Sequence, residues 1–339
     1  MNDDAMGTPL ISCIIVNWNT RELLLQCIES IEAWFASVTY EVIVVDNASS
    51  DGSVDAVHKT HPGVVVVENK RNGGFAAGVN QGLVMGKGEY FLVLNPDIII
   101  TDGSVSKLVA VFRENPEVGM VSPRLVNLDG SIQAGYVLKY PSIMQLVLFY
   151  TVLTRWSKRS QMLTSRYFEA DLGLTMGSVL VDQLPGACML VRRAAVEEVG
   201  MMDEQFQLFF EDVDWCFRMR QKGWRLLLCP DIAWKHIGGQ SVRPGENYWV
   251  SGRFQMSLLF FFDKHGNIVQ RVVSKFVLLS NSILILLARK LSFAVISGDS
   301  VRAARFSIDR QRFFLQEFRK KYVLTNMEFH HGDSKRNHS

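Results

Sequence analysis

Short apolar runs alternate with helix-like stretches between Leu10 and Leu94, and every run ends in a polar cluster. Leu10–Val16, Glu41–Val45, Val64–Val67 and Tyr90–Leu94 read as strands, and Thr20–Phe35 and about Phe75–Met85 as helices. Continuous β-branched strands separated by helices indicate an α/β fold whose mostly parallel sheet is covered on both faces. Ligands of such sheets bind beyond the carboxyl ends of the strands. The clusters after Val16, Val45, Val67 and Leu94 all fall on that edge, and together they point to a nucleotide cleft.

The clusters each carry two readings. In Asp46-Asn47-Ala48-Ser49-Ser50-Asp51-Gly52, Ser50 or Asp51 can serve as a turn or helix cap, which leaves Asp46 for a ligand. An aspartate there can accept a hydrogen bond from the imide N–H of a uracil or thymine ring. Asn72-Gly73-Gly74 is either a left-handed turn or a close backbone approach to phosphate at a helix start.

Two acidic sites lie far apart in the chain. One is Asn95-Pro96-Asp97; the other is Phe209-Phe210-Glu211-Asp212-Val213-Asp214-Trp215-Cys216. Each sets carboxylates against apolar residues, where a charge is costly unless paired, hydrated or bound to metal. The first also reads as a strand-ending turn, because Pro cannot donate to a ladder. In the second, acids in a first helical turn offset the helix dipole, and Asp214 precedes Arg218 at the spacing of a surface ion pair. That account suits Asp214 but not the adjacent Glu211 and Asp212.

The ordered series Ile15-Val16-Asn17-Trp18-Asn19, Val44-Val45-Asp46-Asn47, Asn72-Gly73-Gly74-Phe75 and Leu94-Asn95-Pro96-Asp97 resembles glycosyltransferase family 2. Pro185-Gly186-Ala187-Cys188-Met189, Phe210-Glu211-Asp212-Val213-Asp214-Trp215-Cys216 and Ala233-Trp234-Lys235-His236-Ile237-Gly238-Gly239 continue the match, which covers roughly residues 9–265. Within that family the pattern is similar to bacterial rhamnosyltransferases of cell-wall and surface-polysaccharide assembly.

The resemblance implies a GT-A, Rossmann-like fold and an inverting transfer from a nucleotide-sugar donor. Asn17, Asn19, Asp46, Asn72, Gly73, Asn95 and Asp97 would bind the donor, Asp46 reading the base. Asp97 matches the last acid of the DxD metal motif, whose first acid is here Asn95 and whose middle residue is Pro96. A single carboxylate needs a second protein ligand, and His236 stands where family members carry a histidine that can approach the metal. The cofactor implied is a divalent cation, Mg2+ or Mn2+; oxygen ligands suit both, and an imidazole favours Mn2+. Asp212 is the expected general base, with Glu211 orienting it or, together with Trp215, binding the acceptor. The donor implied is dTDP-rhamnose and the acceptor a lipid-linked or oligosaccharide hydroxyl. Open alternatives are a UDP-sugar transferase (hexose, GlcNAc or galactofuranose) with a soluble or protein acceptor, and a non-catalytic nucleotide- or glycan-binding relative.

Charge and hydropathy change along the chain. From Arg271 onwards there are 13 Lys and Arg against 5 Asp and Glu, whereas the preceding 270 residues hold 23 against 29. Phe276–Ala288 is apolar but short of the ~20 residues needed to span a bilayer. Val272–Ile296 is long enough if Lys275, Arg289 and Lys290 snorkel or face a partner. The preferred reading is amphipathic helices lying in the interface, with Arg302–Lys321 at anionic headgroups, and an oligomer interface is the rival. Nucleic acid is excluded as a partner by the lack of any reader motif and the richness in Leu, Ile and Val. The expected organisation is a GT-A domain over 1–245, a helical membrane-associating region over 246–326 and a disordered tail over 327–339. An acidic start, Met1-Asn2-Asp3-Asp4, lacks the features of a signal peptide, and five cysteines without a CxxC pair indicate reduced, buried thiols. The N-terminus implies a cytoplasmic protein, and the basic, apolar C-terminal region a peripheral one on the inner face of the cell membrane.

Overall fold

A computed structural model describes residues 8–133, 139–154, 177–206, 208–238, 248–292 and 299–324. The chain begins β1 (Ile11–Asn17), α1 (Arg21–Trp34), β2 (Tyr40–Asp46), α2 (Ser53–Thr60), β3 (Val65–Glu68), α3 (Phe75–Met85) and β4 (Tyr90–Leu94). It continues with β5 (Ile98–Ile99), α4 (Val105–Glu114), β6 (Val118–Val126), α5 (Ile143–Phe149), β7 (Val179–Leu180) and β8 (Cys188–Arg192). Then come α6 (Arg193–Val199), α7 (Glu211–Gln221), β9 (Arg225–His236), α8 (Tyr248–His265), α9 (Ile268–Ser292) and α10 (Asp299–Arg319), which ends in a π-helical turn, Lys320–Leu324. Two compact units result: Met1–Tyr140 with Gln161–Ser241, and Pro141–Ser160 with Val242–Ser339.

The first unit is built on one mixed, mostly parallel sheet of order β3-β2-β1-β4-β8-β6-β9-β5, with β7 also on β9. Strand β1 runs parallel to β2 and β4, β2 to β3, and β6 to β9. Strand β8 is antiparallel to both of its neighbours, β4 and β6. Alternation along β1 feeds two cores: Ile11, Cys13 and Ile15 pack with α1 and α4, and Ile14 and Val16 with α3 and α7. Burial pushes the thiols of Cys13, Cys27, Cys188, Cys216 and Cys229 up, and all five are free.

Helix α3 rides unusually close on β1. A Cβ at Gly78 would lie 2.7 Å from Val16 Cγ1, and one at Gly82 2.3 Å from Ile14 Cγ2. Bare glycine backbone is therefore what lets this helix lie flat, and it sets the α3 N-terminus beside the carboxyl edge of β1. Register aligns Asn17 with Asp46 and Asp46 with Glu68, so the polar strand ends form one row.

In the second unit the apolar run Phe276–Ala288 lies inside α9, a helix of 25 residues. Its Ile268–Arg289 portion is long and apolar enough, by length and composition, to cross a membrane. Its buried side is mostly polar around Leu278, and much of its exposed side is apolar. Ser274, Asn281 and Ser282 are buried, while Ile268, Val269, Val272, Phe276, Ile283, Leu284 and Leu287 are exposed. The buried groups are satisfied: Asn281 Oδ1 accepts from Val152 N–H at 2.9 Å, and the Ser282 hydroxyl meets the Gln311 amide at 2.7 Å. Arg305, Arg312 and Arg319 recur every seven residues on α10, and all three are exposed. The expected tail over 327–339 and the end of the Leu291–Ile296 run lie outside the described residues.

Candidate active site

Asp46 closes β2 as a buried carboxylate. Its Oδ2 accepts from Asn17 Nδ2 at 2.8 Å and its Oδ1 from the Ser49 N–H at 2.8 Å. Asn17 Nδ2 also reaches Ser49 Oγ at 3.2 Å, and Asn17 Oδ1 accepts from the Thr20 hydroxyl at 2.7 Å. Asn19 sits in the left-handed region, φ 52°, where its Oδ1 accepts the Ser50 N–H at 2.7 Å. The structure thus laces Asn17, Asn19 and Asp46 into one patch through Ser49 and Ser50. Asp51 caps, accepting from Arg21 N–H at 2.8 Å and from Ser53 N–H at 3.1 Å. Sequence reasoning gave no role to Trp18, which is 37% exposed between the two asparagines. An indole in a polar loop was the available signal.

Across this edge, Asn72 Oδ1 accepts the Gly74 N–H at 2.9 Å, and Asn47 Nδ2 donates to Gly74 O at 3.1 Å. Gly74 takes the positive φ, 89°, that only glycine adopts freely. Asn72 and Gly73 stay exposed at the start of α3.

Asp97 follows β4 through the Asn95-Pro96 turn and is 6% exposed. Strand β5 pairs Ile98 with His236 of β9, which carries the imidazole back to the carboxylate. Asp97 Oδ2 accepts the Gly238 N–H at 3.1 Å, and Oδ1 lies 3.3 Å from His236 Nε2. Oδ1 is buried and has no hydrogen-bond partner among the described residues. Among those residues no group of three or more His, Cys, Asp or Glu could hold a metal. A cation here would have two protein ligands and draw the rest of its shell from donor oxygens and water, and the orphaned Oδ1 facing an imidazole fits that role.

The second acidic site opens α7. Phe209 and Phe210 precede it at φ 65° and 70°, both left-handed and neither glycine. Such residues cost about 1–3 kcal/mol each and cluster where function over-determines the backbone. Asp212 is partly exposed; its Oδ2 accepts the Gly186 N–H at 2.9 Å and its Oδ1 the Val213 N–H at 2.8 Å. Glu211 is 7% exposed, and its Oε2 has no hydrogen-bond partner among the described residues. Burial, and then the neighbouring Asp212 charge, push the Glu211 carboxyl up to about 8. Burial also raises Asp212, against the pull of its amide donors.

One loop joins the two acidic sites. Gly186 N–H binds Asp212, and the next carbonyl, Ala187 O, accepts from Asn95 N–H at 2.9 Å. Two expectations are corrected at α7. Asp214 does pair with Arg218, at 2.8 Å, but it is 0% exposed, so the pair is internal and not on the surface. Arg218 also donates to the carbonyls of Val199 and Met201, pinning α7 to the chain after α6. Trp215, expected against an acceptor, is 0% exposed in the core, and its indole N–H is spent on Gly200 O at 2.9 Å. The ring packs into the second core with Cys216 and Met219 of the same helix, although Asp212 lies one turn away.

A mixed α/β sheet with a row of polar strand ends, a buried Asp–His pair and an acidic helix start fits a glycosyltransferase of the GT-A fold. The model described as glycosyl transferase family 2 matches residues 12–200. The chain belongs to that family. It is 27% identical over 241 residues to the N-acetylglucosaminyl-diphospho-decaprenol L-rhamnosyltransferase of Mycobacterium tuberculosis, covering 66% of this chain and 75% of that protein. It is 24% identical over 223 residues to a low-salt glycan biosynthesis hexosyltransferase of Haloferax volcanii, covering 65% of this chain and 64% of that protein. Among solved structures, the mannosyltransferase PcManGT from Pyrobaculum calidifontis, in complex with GDP-Man and Mn2+, superposes with a TM-score of 0.52 at 17% identity. That match covers 91% of this chain and 86% of the other, and supports the fold.

Proposed function

We propose that this glycosyltransferase is inverting and metal-dependent, and that it moves L-rhamnose from dTDP-rhamnose to a hydroxyl of a polyprenyl-diphosphate-linked acceptor in cell-envelope polysaccharide synthesis. The observation that carries the reading is the Gly186–Ala187 bridge, which ties a partly exposed Asp212 to the turn that presents Asp97. The reaction named for the mycobacterial relative supplies the sugar and acceptor class.

Asp46 accepts the imide N–H of a pyrimidine base, with the exposed Trp18 indole offering a flat apolar face beside it. Asn72, Gly73 and the first α3 amides line the phosphate side. A divalent cation, Mg2+ or Mn2+, held by Asp97 and His236, would neutralise charge on the departing diphosphate. Asp212 receives the acceptor hydroxyl proton as the new C–O bond forms and the anomeric bond to diphosphate breaks. A single displacement inverts the anomeric carbon and needs only one catalytic carboxylate. Mass-spectrometric screening of nucleotide sugars with Mn2+ and a polyprenyl-diphosphate acceptor should show turnover of dTDP-rhamnose. Turnover of UDP-sugars alone would favour the second reading, a hexosyltransferase, to which the similarity to the Haloferax protein lends support.

The helical unit then serves as a peripheral anchor on the inner face of the membrane. Its support is the apolar outer face of α9 and the basic stripe of α10, each Lys or Arg near an anionic surface being worth about 1 kcal/mol. The full chain should float with anionic liposomes and detach at high salt. A variant carrying Val272→Asp, Phe276→Asp and Leu287→Asp should stay in the soluble fraction, and full flotation of that variant would remove α9 from the anchor.

A further inference from the structure

We infer that Gln133 is a positioning residue that selects which nitrogen of His236 faces Asp97, and thereby sets the affinity of the Asp97–His236 pair for a divalent cation. The inference rests on the metal reading above and adds to it a residue with no place in the sequence motifs.

Gln133 is delivered by a tight hairpin. Strand β6 ends at Val126, which bridges to Ile132, and the turn is closed by Asn127 N–H to Ser131 O at 2.8 Å and Gly130 N–H to Asn127 O at 2.9 Å. Asp129 accepts from the Ser131 N–H at 2.9 Å and from its hydroxyl at 2.6 Å, and Gln133 N–H donates to Leu125 O at 3.1 Å. The backbone at Gln133 is thereby fixed.

Its amide has one consistent orientation. Nε2 donates to His236 O at 2.6 Å and to Asn127 Oδ1 at 2.9 Å. A backbone carbonyl only accepts, so the NH2 end must face it. Asn127 is oriented independently, because its Nδ2 donates to Ser131 Oγ at 2.8 Å. Gln133 Oε1 is then the atom that meets His236 Nδ1 at 2.9 Å. An amide oxygen also only accepts, so Nδ1 carries the proton. In a neutral ring that makes Nε2 the acceptor nitrogen, and Nε2 is the one 3.3 Å from the buried Asp97 Oδ1. Gln133 grips both the ring and the carbonyl of one residue, which fixes tautomer and rotamer together. Outer partners of this kind hold metal-ligating histidines in general.

The test uses the full chain labelled with 15N-histidine and 15N-glycine. In EDTA, at a pH high enough that the ring is neutral, His236 should report the Nδ1–H tautomer in wild type and lose it in Gln133→Met, which matches the side chain in size without its hydrogen bonds. Mn2+ titration, followed by paramagnetic broadening of the Gly238 amide, should need about 10–100-fold more metal in Gln133→Met. In a His236→Ala background Gln133→Met should change the Mn2+ midpoint no further. An unchanged tautomer and midpoint in Gln133→Met would overturn the inference, and so would an additive loss in the His236→Ala background. Wild-type broadening in His236→Ala alone would instead overturn the metal reading, and the inference with it.

Discussion

Asp212→Asn should lower single-turnover transfer by about 10²–10⁴-fold, the usual share of general-base catalysis, while donor affinity hardly changes. Asparagine keeps the size of the side chain and an oxygen for the Gly186 N–H, but it cannot accept the acceptor's proton. Donor affinity should be spared because the proposed nucleotide contacts, Asp46 and the Asp97 turn, lie on other elements. Asp212 is favoured over its neighbours by exposure: it is partly exposed, whereas Glu211 is nearly buried and Asp214 fully so. The expected order of lost turnover is Asp212→Asn, then Glu211→Gln, then Asp214→Asn. Asp214→Asn should instead act on stability. Removing one partner of an internal ion pair costs up to roughly 3–5 kcal/mol, far more than a surface pair. An inactive Asp214→Asn beside an active Asp212→Asn would reassign the base.

The same series has a pH signature. Glu211 titrates at 4.5 when unperturbed and at about 8 in the fold, so between those values the unfolded chain is ionised and the folded one holds its proton. Its contribution to stability is fully present below pH 4.5, falls as pH rises, and levels off once Glu211 ionises above about 8. The thermal midpoint of wild type relative to Glu211→Gln should therefore decline across that window. A constant difference from pH 5 to 9 would show that Glu211 is not held protonated.

Asp97→Ala should abolish metal-stimulated turnover, a loss of about 10²–10³-fold by analogy with removal of other preorganised electrostatic groups. Folding should survive, since the carboxylate accepts one amide hydrogen bond, from Gly238, at a turn beyond the sheet. His236→Ala should weaken metal dependence less, because one protein ligand and the donor oxygens remain. Asp97→Asn separates the two roles of the residue, since it keeps an acceptor for Gly238 N–H and loses the charge. Normal activity of Asp97→Ala at low Mn2+ would end the metal assignment.

The first half of the sheet was legible because each strand carries its own apolar run. Helix α3 and strand β4 fall at the expected residues, and β1, β2 and β3 differ by a residue or so at their ends. What local pattern does not encode is partner choice between distant strands. Strand β8 slots between β4 and β6 from residues 188–192, and only that insertion brings Gly186 and Ala187 to both acidic sites. At α7 the spacing of Asp214 and Arg218 was visible, but its burial follows from α6 and the carbonyls after it. Trp215 was read from its motif, whereas its burial is set by packing against the sheet and by Gly200, which are distant in sequence. Gln133 was silent because nothing about a glutamine after a turn announces what its amide will face.

The insertion of β8 also sets when the two acidic sites can be brought together. A growing chain that has reached β4 can already assemble β1, β2, β3 and β4, yet one rim of β4 stays open until β8 arrives. His236 comes later still. At about 5–20 residues per second, the ~140 residues between Asp97 and His236 take on the order of ten seconds to emerge. Through that interval a half-built sheet exposes an unpaired hydrophobic rim, a template for misassembly with other nascent chains. A chain stopped before β9 would lack His236 and the strand that pairs β5 and β6, and chaperone demand should peak while β4 awaits its partner.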